Sequence, residues 1–337
     1  MANRDRASEI QEIRQRNSRS QGHLSYHLQD LQVQWTKVSQ RPGSLSDFYL
    51  IRAVTILEVS TRQELALLIN HSRQFTDRAV EFSKSFKMDF ATVRDVQGRV
   101  VTLGDVIAHS VPVNSFGQIL DHFGILLGRS IRPLLSGVID RWQVEIEGRE
   151  SRPIIEDFEK LAANLTRLFE IRHILCHELP EKSVYPVAEV SGFLESAIQF
   201  SKAMEWVLTF EKFGLVPLTQ TDMNISQGER LRNAEKDLEH VFGKIRKKIF
   251  DLDRSASLSN SDQSGWASSF DAVQETWLAY RNAQCDFVTY LNQGGTIRPL
   301  LWGVEAVALT EARITQIQTW FESESKRLAF EEDGLKN

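Results

Sequence analysis

The spacing of the apolar residues is the feature that most constrains the fold of this chain. Long stretches place apolar residues three and four positions apart, which is typical of amphipathic α-helices, and the alternation typical of strands is weak. The 337 residues include only 8 prolines and 18 glycines, so few positions interrupt these stretches. With 42% hydrophobic residues, the chain can bury more core than one domain usually needs. We therefore predict an all-α protein with two domains.

Composition narrows the class of protein further. The formal net charge is -5, so no overall basic excess indicates nucleic-acid binding. The two cysteines, Cys176 and Cys285, are too few for a secreted disulfide scaffold. The N-terminal segment is polar and lacks the apolar core of a signal peptide. No run approaches the roughly 20 apolar residues that span a bilayer. We expect a soluble, cytoplasmic protein with no membrane segment.

Interruptions of the helical pattern predict the domain limits. Residues 1–44 are predicted to form a polar helical extension, residues 45–215 a helical bundle, and residues 222–330 a smaller helical domain. The stretch "FGLVPLTQTD" supplies the Gly, Pro and polar run that mark the boundary between the last two. The stretch "VQGRVVT" (96–102), with its central glycine, predicts a short β-hairpin in the bundle.

Five helices are predicted with explicit limits. Two lie in the bundle and three in the last domain: Pro153 to Leu179, Val187 to Phe213, and about 223–253, 266–292 and 298–328. The first of them contains the stretch "RHILCHELP". Its apolar seam, with three-four spacing, consists of Phe158, Leu161, Leu165, Leu168, Leu175 and Leu179.

Polar residues interrupt this seam near its end. Arg172 occupies a seam position, where it must extend to solvent, pair with an acid or face a polar cleft. His173 and His177 are four residues apart and share the neighbouring face of the helix. Pro180 cannot continue the helix, so His177 lies in its last turn.

The segment "RHILCH" is similar to the Arg-x4-6-His motif of HEPN-domain ribonucleases. The stretch "DFYLIRAVTILEVSTRQEL" also resembles the long first helix of that fold, and the resemblance covers residues 45 to 215. It implies metal-independent cleavage of RNA to 2′,3′-cyclic phosphate ends, as in bacterial toxin and antiviral defence systems. It also implies a homodimer in which two motifs share one cleft.

The resemblance assigns roles to the residues of the motif. Arg172 would stabilise charge on the pentavalent phosphate, for which a planar guanidinium is well suited. His177 would move the proton, and His173 would position the phosphate or orient His177. Many members of the family have Asn directly after the Arg, where this chain has His173.

A structural interpretation of the same residues stays open. Arg172 could pair with Glu170, Glu178 or a more distant acid and tie helices together, and His177 could cap the carbonyls of its own helix. Glu58, on the first long helix, is a further candidate site residue that could face the cleft as an acidic partner for Arg172; its structural alternative is a position at the edge of a helix face. Burial of Arg172 against an acid within one chain would favour a catalytically inactive helical scaffold.

Other kinds of site find little support in the sequence. Cys176 is predicted to be a buried, inert thiol. No CxxC or HExxH spacing indicates zinc, and no glycine-rich loop indicates phosphate binding. We therefore expect neither a metal nor a cofactor.

The last domain contains a second set of ordered motifs. Trp277, Tyr280, Arg281, Gln284, Cys285 and Val288 are predicted to share one face of a helix. A Gly-Gly turn with Ile297 and Pro299 follows, and then Leu309, Thr310 and Arg313. This set is similar to the N-terminal domain of LprI-type lysozyme inhibitors, over about residues 223 to 320.

This chain departs from the LprI-type pattern at two cysteine positions. Members of that family are usually exported and carry further cysteines, where this chain has Ser226 and Glu305. Cys285 is therefore left without a partner, which fits a reducing compartment. We expect a regulatory or interaction module that contacts a protein partner or antitoxin. Besides the ribonuclease and the inactive helical scaffold, a third hypothesis is that this module inhibits a cell-wall hydrolase.

Overall fold

The structure, a computed structural model, describes most of the chain. It covers residues 6–17, 25–39, 45–85, 90–98, 101–178, 180–258 and 265–334. The chain divides into two compact units, Met1–Leu215 and Val216–Asn337. Over the described ranges the secondary structure is helical, with an isolated bridge between Ile139 and Pro153 and no strand. The predicted all-α class is confirmed.

Ten α-helices make up the described part of the first unit. They are α1 (Arg6–Asn17), α2 (Ser25–Val38), α3 (Leu45–His71), α4 (Arg73–Arg78), α5 (Phe90–Gln97), α6 (Leu103–Ser110), α7 (Phe116–Leu127), α8 (Arg132–Gly137), α9 (Phe158–His177) and α10 (Val190–Phe213).

Helix α3, 27 residues long, is central to the first unit because α2, α6, α7, α9 and α10 all pack against it. A helix that is apolar around most of its circumference has to be buried. Leu50, Val54, Leu57 and Leu68 on α3 are at most 2% exposed. The core of the unit therefore forms around α3.

Helix α2 belongs to this core, although residues 1–44 were predicted to form a polar extension. Leu28, Leu31 and Trp35 follow helical spacing on one face of α2, and all three are buried. The indole Nε1 of Trp35 donates a hydrogen bond to Ser191 Oγ on α10 at 3.1 Å. Val33 points the other way and is exposed. One apolar stripe is thus enough to anchor an otherwise polar helix.

The described residues of the stretch 96–102, where a β-hairpin was predicted, form no strand, and residues 99 and 100 lie outside the described residues. Val96 and Gln97 lie in α5, and Val96 packs against a small cluster that contains Ile10 and Val106. Thr102 begins the next helix: its hydroxyl accepts from Asp105 N at 3.2 Å, and its own N–H donates to Asp105 Oδ2 at 2.7 Å. A capping box of this kind fixes a helix start and competes with an extended conformation.

Helix α9 is shorter than the predicted span from Pro153 to Leu179. Pro153 belongs to a segment in which Ile154 N donates to Val138 O at 2.9 Å, so the chain is extended there. The side chain of Asp157 accepts from Lys160 N at 3.0 Å and caps the helix start. Leu179 lies outside the described residues.

Three long helices form the described part of the second unit. They are α11 (Gln220–Leu258), α12 (Trp266–Val288) and α13 (Arg298–Gly334), each close to a predicted helix. Helix α11 packs along α13, and α12 contacts both. At Gly303 a Cβ would lie 2.7 Å from Gln227 Cγ, so α11 and α13 approach closely there. None of the helices within the described ranges combines the length and the hydrophobicity needed to cross a membrane.

A buried tyrosine ties the segment after α9 to the start of α3. The Tyr185 hydroxyl donates to the Asp47 carboxylate, and Ser46 Oγ lies 2.8 Å away. Burial, followed by the hydrogen bond to Asp47, raises the pKa of Tyr185 to about 12. The neutral phenol is therefore the form that the folded state stabilises.

We expect this tyrosine to make the first unit sensitive to high pH. Its contribution is fully present below the unfolded pKa of about 10 and is lost as pH rises through about 12, a change of about 2 kcal/mol. In a pH titration followed by phenolate absorbance, the wild type should show a tyrosine that ionises at higher pH than the others, and this step should be absent in Tyr185→Phe. Urea unfolding of this variant should be less steeply pH-dependent between these two values. An unchanged titration curve would contradict the assignment.

Candidate functional site

The contact between α3 and α9 brings Arg172 close to Glu58. Arg172 Nη2 lies 3.6 Å from Glu58 Oε1, and the two side chains are 28% and 13% exposed. At this separation the interaction is an ion pair without a good hydrogen bond. Arg172 Nε is buried, and no hydrogen-bond partner for it lies within the described residues. The guanidinium is therefore held mainly by charge, between two packed helices.

The nearer acids in the sequence do not fill this role. Glu170 instead contacts Arg167 at 3.3 Å on the outer face of α9. Glu178 is exposed at the C-cap, where its N–H donates to Ile174 O at 2.9 Å. Among the acids considered from the sequence, the structure pairs Arg172 with Glu58.

Both histidines of the motif face solvent at the end of α9. The rings of His173 and His177 lie 4.8 Å apart between centroids, with an interplanar angle of 49°. Cys176 is exposed between them, so the prediction of a buried thiol is wrong. Positions 173, 176 and 177 share one helical face because they are three and four residues apart. That face is turned away from the core in which Leu168 and Ile171 are buried.

This arrangement leaves a half-buried arginine beside two exposed histidines. Such a group can bind an anion at the histidines, but the charge of Arg172 is partly neutralised by Glu58 in the same unit. Within the described ranges, His, Cys, Asp and Glu form no group of three that could hold a metal ion. The Arg172–Glu58 ion pair thus links α3 to α9, and the two exposed imidazole rings of His173 and His177 lie next to it.

A separate cleft of about 530 Å³ lies in the same unit, and none of the predicted site residues lines it. Its walls come from α2, α10 and the segment between α8 and α9. Lys202 Nζ lies 3.9 Å from Asp140 Oδ2, and Arg152 pairs with Glu150 at 2.7 Å. Because these charges are paired across and beside the cleft, it selects no single ligand charge.

In the second unit, a layer of polar residues is buried between the three helices. Arg281 on α12 is only 5% exposed. Its Nη1 lies 3.0 Å from Glu235 Oε1 on α11 and donates to Thr310 Oγ1 on α13 at 3.3 Å. One guanidinium therefore contacts all three helices. The motif containing Arg281 and Thr310 was recognised in the sequence, but Glu235 was missed because no spacing relates it to them.

A second buried arginine continues this layer. Arg313 on α13 donates from Nε to Gln274 Oε1 at 3.2 Å and from Nη1 to Gln316 Oε1 at 2.7 Å. Burial lowers the pKa of Arg313. The guanidinium carbons of Arg281 and Arg313 lie 5.6 Å and 5.7 Å from the ring centroid of Trp277. Trp277 is therefore a common cation–π partner for both arginines.

The predicted helical face on α12 is only partly buried. Arg281 and Cys285 face the interior, whereas Tyr280 and Val288 are exposed, in contrast to the predicted clustering. Burial raises the pKa of the Cys285 thiol, and the charge of Glu305 adds to this effect. Glu305, which replaces a cysteine of the LprI pattern, therefore lies close to Cys285.

Comparison with known proteins finds a family match within the second unit. Residues 217–317 match the family model described as "Lysozyme inhibitor LprI", which confirms that resemblance and places it in the C-terminal part of this chain. A segment of 106 residues is 23% identical to an uncharacterised protein of Rhizobium meliloti (strain 1021). It covers 32% of this chain and 76% of that protein. No solved structure matches the chain significantly.

The ion pair between buried Arg281 and Glu235, whose side chain is 43% exposed, predicts unequal effects for its two members. Glu235→Gln leaves the Arg281 guanidinium buried without an acid, and we expect it to lower the stability of the second unit by about 2 kcal/mol. Arg281→Met removes the buried charge itself, so its cost should be smaller, about 1 kcal/mol. Native-state hydrogen exchange of the α11–α13 amides measures both values.

Glu239→Gln serves as the matched control, since Glu239 lies one turn further along α11 and is exposed. We expect it to change the stability by less than about 0.5 kcal/mol. A larger loss for Arg281→Met than for Glu235→Gln would show that the guanidinium is valuable for more than its charge pairing.

Proposed function

We propose that this chain is a non-enzymatic interaction protein whose second unit binds a protein partner, a cell-wall hydrolase of the lysozyme class. The match of residues 217–317 to the LprI model carries this proposal. The residues that define the resemblance, among them Arg281, Thr310 and Arg313, meet in one buried layer. We infer that this layer belongs to the three-helix scaffold of the matched region, and inhibition of lysozyme is the function that the name of the family carries.

The first unit supports the same proposal. Arg172 is held against Glu58 inside one unit, which is the arrangement expected of a structural tie. An arginine that stabilises a phosphate has to present its charge to the ligand, whereas this one faces a carboxylate that is 13% exposed. We therefore assign the first unit the role of a helical scaffold.

Binding to a C-type lysozyme tests the proposal directly. The full-length protein should bind immobilised lysozyme with a Kd of about 1 μM or lower, and slow the clearing of a peptidoglycan suspension in proportion to the bound fraction. The exposed-site variant Glu239→Gln should bind like the wild type. No binding at about 100 μM would reject this partner class. Fractionation of cells would show whether the protein reaches the compartment of such hydrolases, contrary to the cytoplasmic location expected from the sequence.

A ribonuclease of the HEPN type is the second candidate function. The observation in its favour is that Arg172, His173 and His177 lie together at the solvent-exposed end of α9. The proposed chemistry is metal-independent: the ribose 2′-OH attacks the adjacent phosphorus, the bond from phosphorus to the 5′-oxygen of the next nucleotide breaks, and a 2′,3′-cyclic phosphate and a free 5′-OH form. His177 moves the proton, and Arg172 faces the phosphate. RNA as partner, a homodimeric cleft and a cytoplasmic location all belong to this candidate.

Two measurements, of the free energy of unfolding and of RNA cleavage, separate the candidates. If the pair is a structural tie, Glu58→Gln should lower the free energy of unfolding by about 1 kcal/mol, because Arg172 then loses its acid in a half-buried site. The exposed ion pair between Arg167 and Glu170 provides the control. Glu170→Gln should lower the free energy of unfolding by less than about 0.5 kcal/mol. The wild type should then leave RNA intact in the presence of EDTA. Cyclic-phosphate ends that disappear in His177→Ala and Arg172→Ala would instead establish the ribonuclease.

A further inference from the structure

Large apolar side chains are exposed where α12 ends and α13 begins. We call residues 287–304 the hairpin tip. Phe287, Tyr290 and Leu291 are 76%, 63% and 95% exposed, although aromatic and branched residues are usually at least half buried. Single exposed apolar residues, such as Phe250 and Val273 elsewhere in this unit, are ordinary, but a group of them clustered at one end of a small unit marks an interaction surface.

The first turns of α13 extend this apolar surface. Ile297, Leu301 and Val304 are exposed and follow each other at spacings of four and three, which places them on one helical face. Asn224 Nδ2 donates to Thr296 O at 3.1 Å and brings the start of α11 to the same end of the unit. Exposed Ile225 adds to the surface from that side.

The hairpin tip is held in a defined conformation. Asp286 accepts from Arg298 Nη2 at 3.0 Å and from Trp302 Nε1 at 3.2 Å, so the end of α12 is tied to the start of α13. The turn between them passes through Gly294 with φ 78°, a left-handed conformation that favours glycine. A surface fixed in this way loses little conformational entropy when it binds.

Acidic groups accompany the apolar surface. Asp222 at the start of α11 and Asp286 are exposed, and Glu305 is half-buried beside Gln284. Asp286 is paired with the nearby cation Arg298, so these two charges offset each other and the acidic character comes from Asp222 and Glu305. Such a surface is complementary to a partner surface that has apolar side chains at its centre and basic residues around them, since opposite electrostatic potentials assist association.

We propose that the hairpin tip is the partner-binding surface of the second unit, and that it takes a basic protein surface bearing apolar side chains. This inference rests on the proposed function, because it names the surface with which the LprI-like unit would bind its hydrolase. The buried arginine layer builds the scaffold, while the hairpin tip makes the contact.

Paired substitutions in the full-length protein test this surface, with a C-type lysozyme as the basic probe. The double variant Phe287→Ser, Leu291→Ser should raise the Kd by about tenfold or more, as expected when apolar anchors are removed. Phe250→Ser is the matched control, since Phe250 is 53% exposed on α11 outside the tip, and its Kd should stay within about twofold. Asp222→Lys with Glu305→Lys should also weaken binding, and most strongly at low salt.

The outcomes distinguish the two proposals. If the wild type binds and the double variant binds equally well, the hairpin tip is not the contact surface, although the proposed function stands. If the wild type itself does not bind, the proposed function fails and this partner assignment fails with it. If sedimentation shows a wild-type dimer and a monomeric double variant, the tip joins two copies of the chain, which also overturns the assignment. Circular dichroism of each variant confirms that its helices are retained.

Discussion

The burial of α3 is the constraint on which the first unit depends. Helices α2, α6, α7, α9 and α10 pack against it, and its apolar residues leave little of its circumference free for polar groups. Glu58 is an exception, because its carboxylate is 13% exposed on this helix and needs a cation nearby. Arg172 of α9 meets that need. The odd arginine in an apolar seam is thus explained by an acid on the helix against which the seam packs.

In the second unit, two arginines are likewise buried between helices and need polar or charged partners. A three-helix bundle of this size has a narrow core, and Arg281 and Arg313 occupy positions that aliphatic residues could fill. Each guanidinium reaches partners on other helices and shares the ring of Trp277. Polar layers of this kind fix the register of helices more strictly than they stabilise them.

How far the sequence predicted this structure depends on the range of each interaction. Helical periodicity predicted the long helices, including α9, α10 and the three of the second unit, because it reflects local burial. It missed the partners Glu235 of Arg281 and Gln274 of Arg313, since they come from other helices and no spacing relates them. The hairpin at 96–102 was predicted from Gly98 and a β-branched run, but the capping box at Thr102 and Asp105 overrides that preference. Cys176 was predicted to be a buried thiol of the kind that acts as a small apolar residue, yet it is exposed on the helical face that it shares with the two histidines.

The difference between buried and exposed residues also limits which properties can be inferred for a chain from its resemblance to a family. Arg281, Thr310 and Arg313 are recognisable because a buried layer tolerates few substitutions, and buried residues cannot touch a partner. Recognition has to come from exposed residues such as Phe287 and Leu291, whose identities the scaffold does not restrict. A chain can therefore keep the LprI-like scaffold while its choice of partner changes. The chemistry of the exposed tip, apolar with acidic groups beside it, is consequently a better guide to the partner than the residues by which the family is recognised.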